Sequence, residues 1–316
     1  MTPRKGFALR ATGAVVLLGF VLTRAKLADL HLPAGGALLG AIGGAAALLA
    51  AALVLSALRW WLVLGPGVAP WAVLVRLYFV GQFFSLFLPT SVGGDAVRVL
   101  ALSRATQETG RALSSVLIER LLGVGALVAY LVAGASLTPS LLLTPLHRLT
   151  WRVGWQAGVG VLGAVSVGWW LVRRYWQRWP RLVGLARAWG EASSRLRGSP
   201  RLSGAAALAA LAIQATYIFS WYVIALLIHL DLPLRALLVL VPFVSLAAML
   251  PVTLSGLGVR EGVWALLLQP LGVSSVDAVG FSLLFYLANL LVGAVGGVVY
   301  MMRGAGIAPL PVEAAA

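Results

Sequence analysis

Two copies of one short motif carry the residues with the clearest chemistry in this chain. They occupy residues 88–98 and 250–260, at a constant offset of 162 residues (260 − 98). Each copy combines a proline, hydroxyl residues, glycines and a final arginine, Arg98 or Arg260. Proline ends one helix, glycine permits a tight reversal, and the arginine lies within about a turn of the next helix. Because a helix N-terminus carries free N–H groups and about half a positive charge, the motifs predict anion binding.

The candidate binding residues come from these motifs and from one charged pair between them. They are Pro89, Ser91, Gly93, Gly94, Asp95 and Arg98, then Glu119 and Arg120, then Thr253, Ser255, Gly256, Gly258, Arg260 and Glu261. Glu119 is included because charges inside an apolar run are rare and usually paired or functional. We expect it to neutralise Arg98, or to serve as a proton or headgroup-amine site.

Plainer interpretations exist for several of these residues. Asp95 is an ordinary acid for the first turn of a helix, although it could still bind a cationic headgroup. Arg120 could simply snorkel, and Glu261 could balance the adjacent Arg260. The motifs themselves could be structural breaks capped by their own side chains. Two copies with the same spacing favour the functional interpretation.

The composition places the motifs in a membrane protein. The 316 residues are 61% hydrophobic and only 10% charged, with a mean hydropathy of +0.97, whereas soluble proteins carry about 25% charged residues. The apolar runs are long and lack period-two alternation, so they predict helices. The net charge of +15 lies in loops between apolar runs, which fits the positive-inside rule better than nucleic-acid binding. Cysteine is absent, which excludes disulfides and thiol chemistry.

Six apolar runs predict spanning helices, at residues 11–22, 37–58, 112–135, 153–172, 204–228 and 278–301. The first run has a basic start, and we interpret it as a retained helix rather than a signal peptide. Arg59, Trp60 and Trp61 predict a membrane interface. Tyr78, Gln82 and Asn289 are interpreted as hydrogen-bonding groups between helices.

The charges of the loops set the predicted topology. The basic segment 173–203 and both termini are placed in the cytoplasm. Counting sides then puts the two motifs at the tips of re-entrant hairpins that enter from opposite faces. Residues 37–135 and 204–302 therefore form an inverted-topology repeat, an arrangement that transporters use around a midplane site. The predicted fold is all-α and polytopic, a single membrane domain over residues 1–316 in the inner or plasma membrane.

The chain resembles the flippase-like transmembrane region of lysylphosphatidylglycerol synthases over roughly residues 40–302. The matching pieces are Arg59-Trp60, Gly81-Gln82 through Leu88-Pro89, Gly93-Gly94-Asp95 with Arg98, residues 115–122 with Glu119-Arg120, and residues 256–261. The resemblance implies movement of a lipid between leaflets, which in the multiple peptide resistance factor is an aminoacylated phosphatidylglycerol. Because no soluble aminoacyltransferase domain follows within the 316 residues, lipid synthesis is not implied.

The sequence and the resemblance together predict a flippase or scramblase for a phosphate-bearing lipid, either a phospholipid or a polyisoprenoid-linked one. We expect anionic membrane lipids as partners, no nucleic acid, no cofactor and no metal, and the sequence leaves a homo-oligomer open. One alternative is a secondary transporter of a small soluble anion. An intramembrane enzyme is a weaker alternative, because His31, His147 and His229 all fall in predicted loops, away from a serine at membrane depth.

Overall fold

The computed structural model describes residues 35–65, 67–87, 93–138, 190, 193–194, 198–249 and 258–303. Within these ranges the regular structure is helical and contains no strand, which confirms the all-α prediction. The first half contains α1 (Gly35–Leu64), α2 (Trp71–Phe87), α3 (Gly93–Thr106) and α4 (Thr109–Leu137). The second half contains α5 (Pro200–Leu227), α6 (Leu234–Ala248), α7 (Val259–Leu268) and α8 (Ser275–Arg303), with a 3-10 turn at Gln269–Leu271.

Four of these helices, α1, α4, α5 and α8, are long and apolar enough to cross a membrane. Each provides 28 or 29 residues, whereas about 20 apolar residues span the hydrocarbon core. They coincide with the predicted spans at 37–58, 112–135, 204–228 and 278–301. The predicted spans at 11–22 and 153–172 lie outside the described residues.

Two shorter apolar helices precede the two motifs. Helix α2 has 17 residues and α6 has 15. The next helices start close to Gly94 and Gly258, as the motifs predicted, since α3 begins at Gly93 and α7 has Gly258 as its N-cap. Gly258 has a φ of 81°, a conformation that glycine adopts without steric cost. The candidates at the tips themselves, Pro89, Ser91, Thr253, Ser255 and Gly256, lie outside the described residues.

The two halves pack in a matched way. When 162 (260 − 98) is added to their residue numbers, the ends of α1 to α4 fall within four residues of the ends of α5 to α8. Helices α1 and α5 pack against each other, α2 packs on α8, and α6 packs on α4. Two glycines at the same offset (296 − 134) support these last contacts. Gly134 lies against the backbone of α6, and Gly296 lies against the backbone of α2 at Phe79.

Helices α1 and α5 run antiparallel. Early in α1, a Cβ on Gly44 would lie 3.3 Å from Val223, near the end of α5. Later in α1, Arg59 lines the same cavity as Gln214, which lies earlier in α5. Residue numbers therefore rise along one helix as they fall along the other.

The apolar core is divided between the two halves. The larger cluster centres on Trp221, whose ring stacks on Phe285 with centroids 3.8 Å apart, while Trp264 and Phe281 pack around them. The smaller cluster surrounds Trp60 and joins α1 to α4. This smaller cluster forms the apolar wall behind the charged residues described next.

Candidate functional site

A buried carboxylate connects the helices of the first half. Glu119 on α4 is 2% exposed. It accepts a hydrogen bond of 2.6 Å from the Tyr78 hydroxyl and one of 3.4 Å from Arg59 Nε. It also forms an ion pair with a terminal nitrogen of Arg98, as the sequence predicted. A buried charge is tolerated when it is paired and its hydrogen-bonding sites are filled, and these contacts meet that condition.

A second carboxylate holds Arg98 from its own helix. One oxygen of Asp95 lies 3.2 Å from Arg98, and the other accepts a hydrogen bond of 2.5 Å from Arg120 Nε. Arg120 is therefore paired with Asp95 in addition to being partly exposed. The Arg98 guanidinium lies 4.3 Å from the ring centroid of Trp60 and 3.8 Å from that of Tyr78. These cation–π distances add to the ion pairs and hold the guanidinium in one place.

Glycines bring α3 close enough to α2 for these contacts. A Cβ on Gly94 would lie 2.9 Å from the carbonyl carbon of Gly81 and closer still to its oxygen. A Cβ on Gly81 would lie 3.1 Å from Arg98 Cδ. Backbone atoms cannot move aside as a flexible side chain can. The expected close backbone approach at Gly94 is thus present, and it positions Arg98 against Tyr78.

The charged residues line a cavity of about 250 Å³. Both halves contribute to its wall, which consists of Arg59, Tyr78, Asp95, Arg98, Val116, Glu119, Arg120, Gly123, Val124, Leu127, Ile213, Gln214 and Met249. Met249 caps the end of α6, directly before the second motif tip. With every side chain in its usual charge state, three arginines face two carboxylates. The cavity therefore carries an excess of one positive charge.

Two donors in this wall are unused. Arg98 Nε and Gln214 Nε2 are buried and have no hydrogen-bond partner. An unsatisfied buried donor costs about 1–3 kcal/mol. An anion in the cavity would neutralise the excess charge, and these two residues of the wall have donors that are still unpaired.

The second motif forms a separate group. Arg260 lies 3.5 Å from the carboxylate of its neighbour Glu261. Glu261 is fully buried and accepts hydrogen bonds from the Gly258 N–H at 2.6 Å and from Ser282 Oγ at 3.0 Å. The expectation that Glu261 balances Arg260 is thus met by an ion pair. Arg260, Glu261 and Gly258 are not part of the cavity wall, so the described residues place the two arginines in two groups rather than in one pocket.

Arg59 and Trp60 pack against other helices, whereas Trp61 is partly exposed, and the membrane interface at these three residues stays a prediction. Trp60 is 0% exposed and donates to Ser115 Oγ at 2.9 Å, and Arg59 is 9% exposed. The helix continues to Leu64, so both residues lie inside the bundle. Among the other polar residues, Gln82 does donate across helices, to Asn289 at 3.2 Å.

Three further polar residues of the site, Arg59, Tyr78 and Gln214, were not among the candidates. Tyr78 was interpreted as a contact between helices, although its hydroxyl also binds the buried carboxylate of Glu119. Its hydroxyl in the middle of an apolar helix was the available signal. Gln214 stands alone in an alanine-rich run, and no local pattern marks it. Within the described ranges, no group of three or more His, Cys, Asp or Glu side chains could hold a metal ion.

Helices of membrane length around a charged cavity define a multi-pass membrane protein with a polar site between its helices. The chain belongs to the lysylphosphatidylglycerol synthase transmembrane region family, because the model of that family matches residues 7–297. This confirms the resemblance noted in the sequence. No curated protein and no solved structure matches the chain.

Proposed function

We propose that this protein moves a phosphate-bearing lipid between the two leaflets, as a flippase or scramblase. The observation that carries the proposal is the cavity around Arg98, which has one excess positive charge and two buried donors without partners. A phosphate group offers several acceptor oxygens, and guanidinium groups bind them with charge-assisted hydrogen bonds. Membership of a lipid-related membrane family favours a phospholipid or a polyisoprenoid-linked lipid as the carrier of that phosphate.

The matched packing supports an inverted-topology repeat around this site. Helices α1 and α5 are antiparallel, and each main contact in one half has a counterpart in the other. In this proposal α2–α3 and α6–α7 are re-entrant hairpins from opposite faces, within repeats 37–135 and 204–302 of one membrane domain, 1–316. The start of α3 and the end of α6 both border the cavity, as expected for a site between two broken helices.

Each charged residue has a part in this scheme. Arg98 and Gln214 donate to the phosphate, and Arg59 and Arg120 raise the local positive potential. Glu119 and Asp95 orient the arginines and limit the net charge, so that one bound negative charge leaves the cavity neutral. Neutrality matters because a net charge surrounded by hydrocarbon is costly. The lipid tails remain in the bilayer while the headgroup crosses.

The remaining assignments follow from charge and topology. We place the basic segment 173–203 and both termini in the cytoplasm, with the protein in the inner or plasma membrane. Anionic lipids of that membrane are the proposed partners. The proposed activity is transport without a chemical change to the lipid, so no catalytic residue and no cofactor is assigned.

A reconstituted assay tests the proposal. Proteoliposomes carry a phospholipid with a fluorescent headgroup, and a membrane-impermeant quencher reports how fast inner-leaflet lipid reaches the outer leaflet. We expect the wild type to accelerate this exchange and Gln214→Leu and Arg98→Gln to lose most of the acceleration. Arg104→Gln, an exposed site in the last turn of α3, is the matched control and keeps it.

Full exchange in both cavity variants would refute the proposal. Gln214→Leu guards against a folding defect, since it removes no ion pair. Efflux of radiolabelled inorganic phosphate from the same vesicles provides a second arm. Phosphate efflux without lipid exchange would favour the transporter of a small soluble anion.

A further inference from the structure

Arg260 is a buried cation whose donors are largely unused. It is 9% exposed, and both its Nε and one terminal nitrogen have no hydrogen-bond partner. Its guanidinium lies 5.7 Å and 5.6 Å from the ring centroids of Phe285 and Tyr286. Aromatic faces attract a cation without occupying its N–H groups, so these donors stay available.

The corresponding arginine in the first half has a different environment. Arg98 contacts two carboxylates, those of Glu119 and Asp95. At the same offset of 162 residues (281 − 119) the second half has Phe281 in place of Glu119, and Leu257 in place of Asp95 (257 − 95). The second half has apolar residues at both of these positions, and its counter-charge is Glu261, the neighbour of Arg260 on the same helix.

Glu261 does not supply the hydrogen bonds that Arg260 lacks. Its two oxygens already accept from the Gly258 N–H and from Ser282 Oγ. The 3.5 Å approach to Arg260 is an ion pair in which the Arg260 nitrogen still lacks a hydrogen bond. Trp264, one turn further along α7, is fully buried and also has an indole N–H without a partner. Buried unpaired donors are costly, and several on one face of a helix indicate a missing acceptor.

We propose that Arg260 and the N-terminus of α7 form a second anion subsite, separate from the cavity around Arg98. The inference rests on the proposed function, because its ligand is the phosphate group of the same lipid. Helix α7 has ten residues, and the positive end of its dipole adds to the positive potential. Arg98 and Arg260 thus mark two successive binding sites for one headgroup, one in each half, and we call these sites stations.

Helix α5 connects the two stations. Gln214 lines the cavity around Arg98. Tyr217, three residues further on the same face of the helix, packs edge-on against Phe285 with ring centroids 5.2 Å apart, and the Phe285 ring lies 5.7 Å from the Arg260 guanidinium. Helix α5 therefore has residues beside both stations.

Native mass spectrometry can count the occupied stations. The purified protein is titrated with a short-chain phosphatidylglycerol, and bound copies are counted at each concentration. We expect up to two copies on the wild type. Arg260→Gln and Arg98→Gln should each weaken the binding of one lipid copy by roughly tenfold to hundredfold. This is the contribution of one charge-assisted hydrogen bond to affinity. The double variant should lose both.

Glu261→Gln separates a ligand subsite from a structural ion pair. Glutamine keeps an oxygen for the Gly258 N–H but removes the negative charge beside Arg260. A subsite predicts several-fold tighter binding of the second copy. If the pair is only structural, Arg260→Gln and Glu261→Gln should each lower the melting temperature, and the double variant should restore it. Lipid binding should then be unchanged in all three variants. That result would overturn the inference.

The remaining outcomes distinguish this inference from the proposed function. One copy that is lost in Arg98→Gln but unaffected by Arg260→Gln would overturn the second subsite alone. No copy on the wild type would overturn both proposals. Equal titration with inorganic phosphate tests the source of the anion. Arg260-dependent binding of phosphate, with no such binding of the lipid, would overturn the assignment to a lipid.

Discussion

Glu119→Gln tests the charge network at its centre. Glu119 is 2% exposed and is shared by Arg59, Arg98 and the Tyr78 hydroxyl. Glutamine has nearly the same volume and keeps an oxygen for the tyrosine, so packing changes little. The loss is electrostatic, because two buried arginines lose their common counter-charge. Removing one partner of a buried ion pair costs about 3–5 kcal/mol, and we expect a loss of this size in the free energy of unfolding.

The measurement is reversible unfolding in mixed micelles titrated with sodium dodecyl sulfate. Glu108→Gln is the matched control, because the 3.2 Å pair between Glu108 and Arg111 is also an acid–arginine pair but has a side chain 55% exposed. Exposed pairs contribute about 0–1 kcal/mol. Equal effects of the two variants, within about 1 kcal/mol, would refute the assignment of Glu119 as a buried counter-charge.

Three further predictions concern packing and use the same unfolding measurement. Gly94→Ala should lose about 1–3 kcal/mol by overpacking against the backbone of α2, whereas Gly43→Ala, with nothing within 4 Å of the added carbon, should lose nothing; equal effects would contradict the close approach. Trp60→Phe should lose about 1 kcal/mol, because the ring remains beside the guanidinium while the 2.9 Å indole hydrogen bond is lost; wild-type stability would show that this bond contributes nothing. Gln82→Leu combined with Asn289→Leu should show a coupling of about 0.6 kcal/mol, as is usual between membrane helices; zero coupling would contradict the 3.2 Å contact.

Much of the helical arrangement could be predicted from the sequence. Long apolar runs locate spanning helices, since hydropathy reports directly on the surrounding solvent. The starts of α3 and α7 lie close to the predicted Gly94 and Gly258, because glycines and prolines interrupt the apolar runs in both motifs. The pair of Glu119 with Arg98 followed from the cost of an isolated charge in an apolar run.

The rest of the site depends on tertiary packing. Helix α1 continues six residues beyond the predicted end (64 − 58), and Arg59 on it is buried against other helices. Gln214 enters the cavity because α5 crosses the first half, a contact that no local pattern encodes. The motif offset makes Arg98 and Arg260 equivalent in sequence, but their partners come from other helices. Phe281 occupies in the second half the position of Glu119 in the first.

Photo-cross-linking to lipid tests most directly the central claim that the cavity holds a lipid phosphate. Benzoylphenylalanine replaces Val124, which lines the cavity, or Val128, one turn further along α4 and 46% exposed. Membranes whose phospholipids carry radiolabelled phosphate are irradiated, and the label attached to the protein is counted. We predict labelling at both positions, with Arg98→Gln abolishing it at position 124 and leaving it unchanged at position 128. Equal labelling at position 124 with and without Arg98 would contradict the account.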